Sequence, residues 1–438
     1  MDARLRTGSV VLALSLAVST AATAGSAAAP TKVARASVAP DGGQLDEPSR
    51  LSEVTSLSAH GERVAFQTPA SLVPEDTNGE VDVYLRDLVA GTTTLVTVDA
   101  TGAAVGGGSA STSQDGNRVA FLSDASLAPQ DSDDDLDAYV RTLDSQTTVL
   151  VSAPKAGVAG RGEIDQVELS GDGSTAVLLT AQRLLRKDTD PRDVDGFKKL
   201  DVYAANVNDS RLRLVSVDRG GRSFAAPVGL GGVSFDASRI GFHTPLTIGG
   251  VPGGFWVYYA GKPRTRLVWR EDLRRLSFAL PGTPAVSGNG RFVALVSALP
   301  RVDDEGRPRQ LDLLRLDLRT GRTVVVCCGE GTRYADAYQP LLPVLAGGGR
   351  RIAFELESGA VAGDDAPGED VYLVDLATGP RLRLVSRGAD GPSNDASGVR
   401  GHSISADGQH VAFTTDDDDL VAGDTNGVHD VFVWSDAS

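Results

Sequence analysis

The sequence predicts an all-β fold, a β-propeller of four-stranded antiparallel blades: seven blades, with six as the alternative. Three observations carry this. Nearly the same thirteen residues stand near both ends, LVPEDTNGEVDVY from Leu72 and LVAGDTNGVHDVF from Leu420. An apolar triplet recurs seven times, beginning at Val64, Val119, Ala176, Ile240, Val293, Ile352 and Val411. Aromatic residues make up only 5% of the 438 and Gly numbers 50, which suits many turns and small side chains better than a large helical core.

Each unit reads as four short segments in a fixed order. A short strand and a turn open it, as in SLSAHGERVAF, STSQDGNRVAF and SISADGQHVAF. The triplet is the second strand. Its middle residue is Ala or Gly in most copies, small enough to let neighbouring blades approach. A variable, mostly acidic loop follows, then a third strand such as DVYLRDL, DAYVRTL or DVFVWSD. A tight turn and a fourth strand, such as TTTLVTV or RLRLVSV, complete the unit. All four are short, rich in β-branched residues and bounded by Gly, Asp or Asn, which is the signature of strands and hairpins. A four-stranded unit repeated at this length predicts a propeller blade.

The seventh copy stops after its third strand. KVARASVAPDGGQLDEPS from Lys32 is similar to LRLVSRGADGPSNDAS from Leu382. The sequence therefore predicts that Val33 to Val38 completes the blade begun at Ser403. That pairing closes the ring and removes the open edges of a linear array. It also makes the two thirteen-mers neighbours, in blades one and seven. Blade four departs most from the pattern, because its loop HTPLTIGGVPGGFWV has no acidic motif.

The Ser-x-Asp-Gly turn followed by a DVYV-type strand resembles the WD40-like (PD40) repeats of TolB-type propellers, over about residues 31 to 438. The resemblance implies a propeller fold and protein–protein contact in the bacterial envelope. TolB itself carries an N-terminal α/β domain. Here the reading is a signal peptide over 1–24, a linker over 25–30 and a single propeller over 31–438. Arg4 and Arg6 precede the apolar run VVLALSLAV and the small residues of Ala22-Thr23-Ala24, so cleavage is expected after Ala24. The apolar run is too short for a stable span. These features predict export to the envelope or the extracellular space, and a monomer.

The formal charge is −16, which disfavours nucleic acid and anionic lipid as partners. Cys327 and Cys328 are adjacent, and they read as two small strand residues. The acidic loops between second and third strands share one face of a propeller. They carry Asp76, Glu80 and Asp82; Asp131, Asp133, Asp134, Asp135 and Asp137; Asp188, Asp190, Asp193 and Asp195; Asp303, Asp304 and Glu305; Asp364, Asp365, Glu369 and Asp370; and Asp416 to Asp419 with Asp424 and Asp430. A solvated acidic rim accounts for such runs.

Calcium is the sharper reading. Asp76, Asn78 and Asp82, and again Asp424, Asn426 and Asp430, place carboxylate and amide oxygens on a Gly turn. Asp131, Asp133 and Asp137 share the spacing. Ca²⁺ takes six to eight oxygens from loops of this kind. The competing reading is an Asx turn before a strand, with Asn-Gly favouring positive φ.

Catalysis finds no motif. His60, His243, His402, His410 and His429 have no paired zinc spacing, and no G-x-S-x-G elbow occurs. His410 stands where other copies have Arg63, Arg118, Arg239 and Arg351, which reads as an exposed cation. Trp256, Trp269 and Trp434 fall in strands and read as packing. The sequence reading is thus a non-enzymatic scaffold with a protein partner. A propeller lyase or glycosidase and a structural surface protein are the alternatives.

Overall fold

The turn that opens each blade sets its first hairpin. In blade two, Ser113 Oγ donates to Asp115 Oδ1 at 2.5 Å and accepts from the Arg118 amide at 3.0 Å. Gly116 holds φ +67, a conformation that Gly adopts without a Cβ penalty. Ser170 with Asp172 and Ser405 with Asp407 repeat the device at 2.6 Å.

A computed structural model describes residues 32–52, 56–155, 163–188, 193–194, 197–198, 200–218, 220–223, 229–244, 253–261, 264–270, 283–297, 312–327, 341–357, 361, 369–377, 381–388 and 402–436. The expected signal peptide and linker lie outside them. So do Asp190, Asp195, Asp303, Asp304, Glu305, Asp364, Asp365 and Cys328. Cys327 carries no free thiol but is disulfide-bonded, which corrects its reading as a plain strand residue.

Seven blades form the ring, and the six-blade alternative falls away. Blade two is Gly108–Thr112, Arg118–Ser123, Asp137–Thr142 and Thr147–Leu150, each strand antiparallel to the next. Blades three to six repeat this order from Ile164–Leu169, Gly229–Val233, Ala285–Val286 and Leu341–Leu345. Blade one has Arg63–Thr68, Asp82–Asp87 and Thr92–Leu95, with a single bridge from Leu57 to Val64 at the inner position. Blade three adds a small hairpin, Asp193–Val194 with Phe197–Lys198, in its acidic loop. Blade seven is His402–Ile404, His410–Thr415 and Asp430–Ser435, completed by Lys32–Arg35. The register is Lys32↔Ser435, Val33↔Trp434, Ala34↔Val433 and Arg35↔Phe432, and the Ala36 amide continues to the Val431 carbonyl at 2.7 Å. The terminal clasp is the one the repeat predicts.

The core lies between blades. Phe66 and Tyr84 of blade one pack against Ala412, Val431 and Val433 of blade seven. Phe121 and Tyr139 of blade two pack against Ala65, Val83 and Leu85 of blade one. Ala120, Ala294 and Ala353 meet large residues of the next blade in the same way, Val177 takes that place between blades three and four, and Phe255 and Val257 pack on blade five. Burial at the 7–1 interface is therefore of the same kind as at the other six.

A belt of backbone hydrogen bonds rings the central channel. Ala59 N donates to Gln114 O, Gln114 N to Gly171 O, Asp172 N to Phe235 O and Phe235 N to Gly288 O, at 2.7–2.8 Å. Asn289 N donates to Gly347 O and Gly347 N to Ala406 O at 2.8 Å, and Asp407 N returns to Ala59 O at 3.2 Å. Each blade's turn is thus tied to the next. Arg63, Arg118, Arg351 and His410 reinforce this, which corrects their reading as exposed cations, whereas Arg239 donates to the Ser238 carbonyl of its own blade at 2.7 Å. Arg118 reaches the Gly173 carbonyl of the next blade at 2.7 Å, and Arg351 reaches that of Gly408 at 2.9 Å. The His410 ring lies over Gly61 of blade one, and its Nδ1 is 2.9 Å from Ser435 Oγ.

Candidate functional site

The acidic loops sit where the second strand of a blade passes to the third. Asp stands at the start of the third strand in six blades, Asp312 of blade five included, and in five of these it accepts a hydroxyl from just beyond the fourth strand. Ser216 donates to Asp201 at 2.7 Å, Ser386 to Asp370 at 2.5 Å and Ser37 to Asp430 at 2.5 Å. Thr97 and Ser152 donate to Asp82 and Asp137 in the same way. The following backbone amide returns to that hydroxyl, as from Val83 to Thr97 at 3.2 Å and from Ala138 to Ser152 at 3.1 Å. Blade four has Gly254 at this position and lacks the device.

The loop aspartate is held by a second hydroxyl. Tyr84 donates to Asp76 and Tyr139 to Asp131, and Tyr203 donates to Asp188 at 2.6 Å. These tyrosines are fully buried at the blade interfaces, so packing aims the hydroxyl. Burial and the neighbouring carboxylate both raise the Tyr84 and Tyr139 hydroxyls well above the ordinary phenol range, which keeps them as donors.

In blade one this leaves two carboxylates half satisfied. Asp76 Oδ2 and Asp82 Oδ1 take the hydroxyls. Asp76 Oδ1 and Asp82 Oδ2 are buried and have no hydrogen-bond donor. Asp76 is 5% exposed and Asp82 0%. Burial pushes the Asp82 carboxyl up to about 6; the Thr97 hydroxyl and Asn78 amide oppose the rise, and the charges of Asp76 and Glu80 add to it. Asn78 Oδ1 accepts from the Glu80 amide at 2.9 Å and Gly79 stands at φ +71, so the Asx turn is present as well.

Blade two brings Asp131, Asp133 and Asp137 together, with one oxygen of each within 4.8 Å of the others. Oxygens on opposite sides of a calcium ion, each at about 2.4 Å, are about 4.8 Å apart, so the cluster is the right size. Burial raises Asp137 to about 6, against the Ser152 hydroxyl and with the charges of Asp131, Asp133 and Asp135.

Blade seven differs. Arg35 Nη1 lies 3.2 Å from Asp424 Oδ1 and 3.3 Å from Asp430 Oδ2. Burial raises Asp424 to about 6, with Asp430 adding and Arg35 opposing. Asn426 donates its side-chain amide to the Leu45 carbonyl, and Gly427 N donates to Asp418 Oδ1 at 2.9 Å. Blade one thus leaves two buried carboxylate oxygens unbonded, blade two gathers three carboxylates, and blade seven sets a guanidinium between its two.

The channel carries a different chemistry. Among the described residues, Glu168 is the one ionisable side chain on its wall, beside Gln114, Gln166, Leu57, Leu230 and Phe235. Among the described residues, His60, His243, His410 and His429 do not line it. His60 pairs with Asp407 across the 7–1 interface at 3.0 Å, and His243 is set against Gly229. Trp434 is fully buried between blades six and seven, with Arg383 4.9 Å from its ring, and Trp256 donates to Thr244 at 3.2 Å.

The sequence pointed to these carboxylates except Asp201 and Asp312, and not to the residues that aim them: Tyr84, Tyr139, Tyr203, Thr97, Ser152, Ser216, Ser386, Ser37 and Arg35. The signal was a fixed offset. The Tyr follows its loop Asp by 8 residues in blades one and two, and the hydroxyl follows the strand Asp by 15 in blades one to three.

No protein-family model matches the chain, and no curated protein matches it. Solved structures do. An oligogalacturonate lyase from Vibrio parahaemolyticus matches 92% of this chain and 93% of its own, at 14% identity and a TM-score of 0.56. An oligogalacturonate lyase in complex with manganese matches 93% and 96%, at 12% identity and 0.55. TolB from Acinetobacter baumannii matches 75% and 64%, at 13% identity and 0.39. The expectation of a non-enzymatic protein-binding scaffold is corrected by this comparison. It rested on analogy between folds, and propellers that match over nine-tenths of both chains are lyases. The four-stranded antiparallel blade read from the repeat is the blade the chain has. What these likenesses support is the propeller fold, and the chain's own strand order makes it a seven-bladed ring closed by its N-terminal strand.

Proposed function

We propose that this chain is an exported, calcium-binding β-propeller whose ions sit in the second-to-third loops of blades one and two. One observation carries the reading: Asp76 Oδ1 and Asp82 Oδ2, from the same acidic loop and the strand it enters, are both buried and neither makes a hydrogen bond. Two buried carboxylates in that state are costly unless a cation compensates them. All the donors are oxygens on short loops, which suits Ca²⁺; Mg²⁺ demands a stricter octahedron, and zinc prefers nitrogen and sulfur. Asp76, Asn78 and Asp82 would hold one ion, and Asp131, Asp133 and Asp137 the other. The bound ion would supply positive charge that pins each loop to the start of its third strand. Export is supported by the leader-like N-terminus, and no helix among the described residues is long and apolar enough to cross a membrane.

Thermal melting of the full chain tests this, in chelator and with rising calcium. For a site of about 10⁻⁴ to 10⁻³ M, as in extracellular modules, ten millimolar calcium should raise the melting temperature and magnesium should do less. A tenfold excess over Kd stabilises by about 1.4 kcal/mol per site. The paired change Asp82→Asn and Asp137→Asn should remove the response. A melting curve identical in calcium and chelator refutes the reading.

A further inference from the structure

We infer that blade seven carries its own cation: the Arg35 guanidinium occupies the position that a divalent ion takes in blades one and two. This rests on the calcium reading above and deepens it by saying which loop takes no ion, and why.

The argument is a paired exchange. In blade one Tyr84 stands in register with Leu95 on the fourth strand, and in blade two Tyr139 with Leu150. Blades three and six keep the pair as Tyr203 with Leu214 and Tyr372 with Leu384. Blade seven has Phe432 in register with Arg35. Phe432 has no hydroxyl, so the loop Asp loses its donor. Arg35 supplies a positive charge from the facing strand instead: it donates to Asp430 Oδ2 at 3.3 Å and forms an ion pair with Asp424 Oδ1 at 3.2 Å without a hydrogen bond.

The oxygens correspond one to one. In blade seven Ser37 takes Asp430 Oδ1, while Arg35 reaches Asp430 Oδ2 and Asp424 Oδ1. In blade one Thr97 takes Asp82 Oδ1, while Asp82 Oδ2 and Asp76 Oδ1 have no donor. The two atoms bridged by the guanidinium are thus the counterparts of the two left open. The Arg35, Asp424 and Asp430 side chains are 9%, 3% and 0% exposed, so a divalent ion entering there would bury a third positive charge beside the guanidinium. Because Arg35 belongs to the N-terminal strand, blade seven is compensated by closure of the ring and needs no calcium.

Calcium stoichiometry of the folded full-length chain, measured by equilibrium dialysis and titration calorimetry, tests this. The exchange Arg35→Leu with Phe432→Tyr rebuilds the blade-one pattern in blade seven and should add one ion per chain. The reciprocal exchange Tyr84→Phe with Leu95→Arg should remove one. Asp424→Asn should leave the number unchanged, whereas Asp82→Asn should lower it by one. Circular dichroism checks that each variant folds, and if the blade-seven exchange does not, the other variants decide. A loss of one ion in Asp424→Asn, or unchanged stoichiometry in a folded exchange variant, overturns the inference and leaves the calcium reading standing. A wild-type chain that binds no calcium removes the calcium reading itself, and this inference with it.

Discussion

Arg35→Met keeps the aliphatic stem and removes the charge that joins the two chain termini. Asp424 and Asp430, with side chains 3% and 0% exposed, then face each other without compensation. An exposed ion pair is worth about 0–1 kcal/mol, but stripping one partner from a buried pair costs about 3–5 kcal/mol, and burial here decides for the second figure. The described span runs from 32 to 436. With an unfolding entropy of about 2.1 cal/mol/K per residue, a loss of about 4 kcal/mol lowers the melting temperature by about 5 °C. The sign with pH follows from the carboxyl. Asp424 is raised to about 6 by burial, with Asp430 adding, even while Arg35 opposes the rise. The folded state therefore holds the proton more tightly than the unfolded one, and more tightly still once Arg35 is gone, so the variant's deficit relative to wild type is small at pH 5 and opens as pH rises past about 6. Differential scanning calorimetry in chelator at pH 7.5 and pH 5 measures both effects, with Arg35→Lys as the variant that keeps a charge. A shift below about 1 °C at pH 7.5 would match a surface pair and would refute the buried-bridge reasoning.

Two further predictions concern parts of the ring away from the acidic loops. Burial pushes His243 down to about 4, with the Gly229 backbone acting weakly in the other direction. Below about pH 6.5 the unfolded chain takes the proton first, so stability should fall by about 3 kcal/mol as pH drops from 6.5 to 4. His243→Asn should flatten that part of the stability–pH curve, and a curve of unchanged slope argues against a neutral buried imidazole. A Cβ on Gly347 would lie 2.9 Å from the Ala406 carbonyl, whereas one on Gly348 meets nothing within 4 Å. Urea denaturation should show Gly347→Ala losing about 1–3 kcal/mol through backbone displacement, with Gly348→Ala near neutral; equal effects at the two positions would mean that the belt tolerates a side chain.

The repeat made the blade legible because a blade is a local object. Its strands follow one another within about sixty residues, and its turn, Ser113 to Gly116 in blade two, is held by bonds between residues two to five apart. Even the clasp was readable, since a missing fourth strand after Ser435 and a spare one at Lys32 have a single closed solution. The carboxylates of the loops were readable from their Asp-x-Asn-Gly-x-x-Asp spacing. The reading of Arg63, Arg118 and His410 as exposed cations failed because their partners, such as the Gly173 carbonyl for Arg118, lie one blade further on.

By itself, then, the sequence determined the repeating unit and the strand that closes the ring, which follow from local pattern, and it left six blades open beside seven until the strand order decided for seven. Only the tertiary structure decided what each acidic loop is. Asp76 and Asp424 stand in nearly identical thirteen-mers, yet one faces a tyrosine hydroxyl and the other a guanidinium. That difference comes from residues 389 positions apart in the chain, Arg35 and Asp424, brought within 3.2 Å by ring closure. A short motif specifies its own backbone turn, but the charge it faces is set by whichever strand the ring lays beside it.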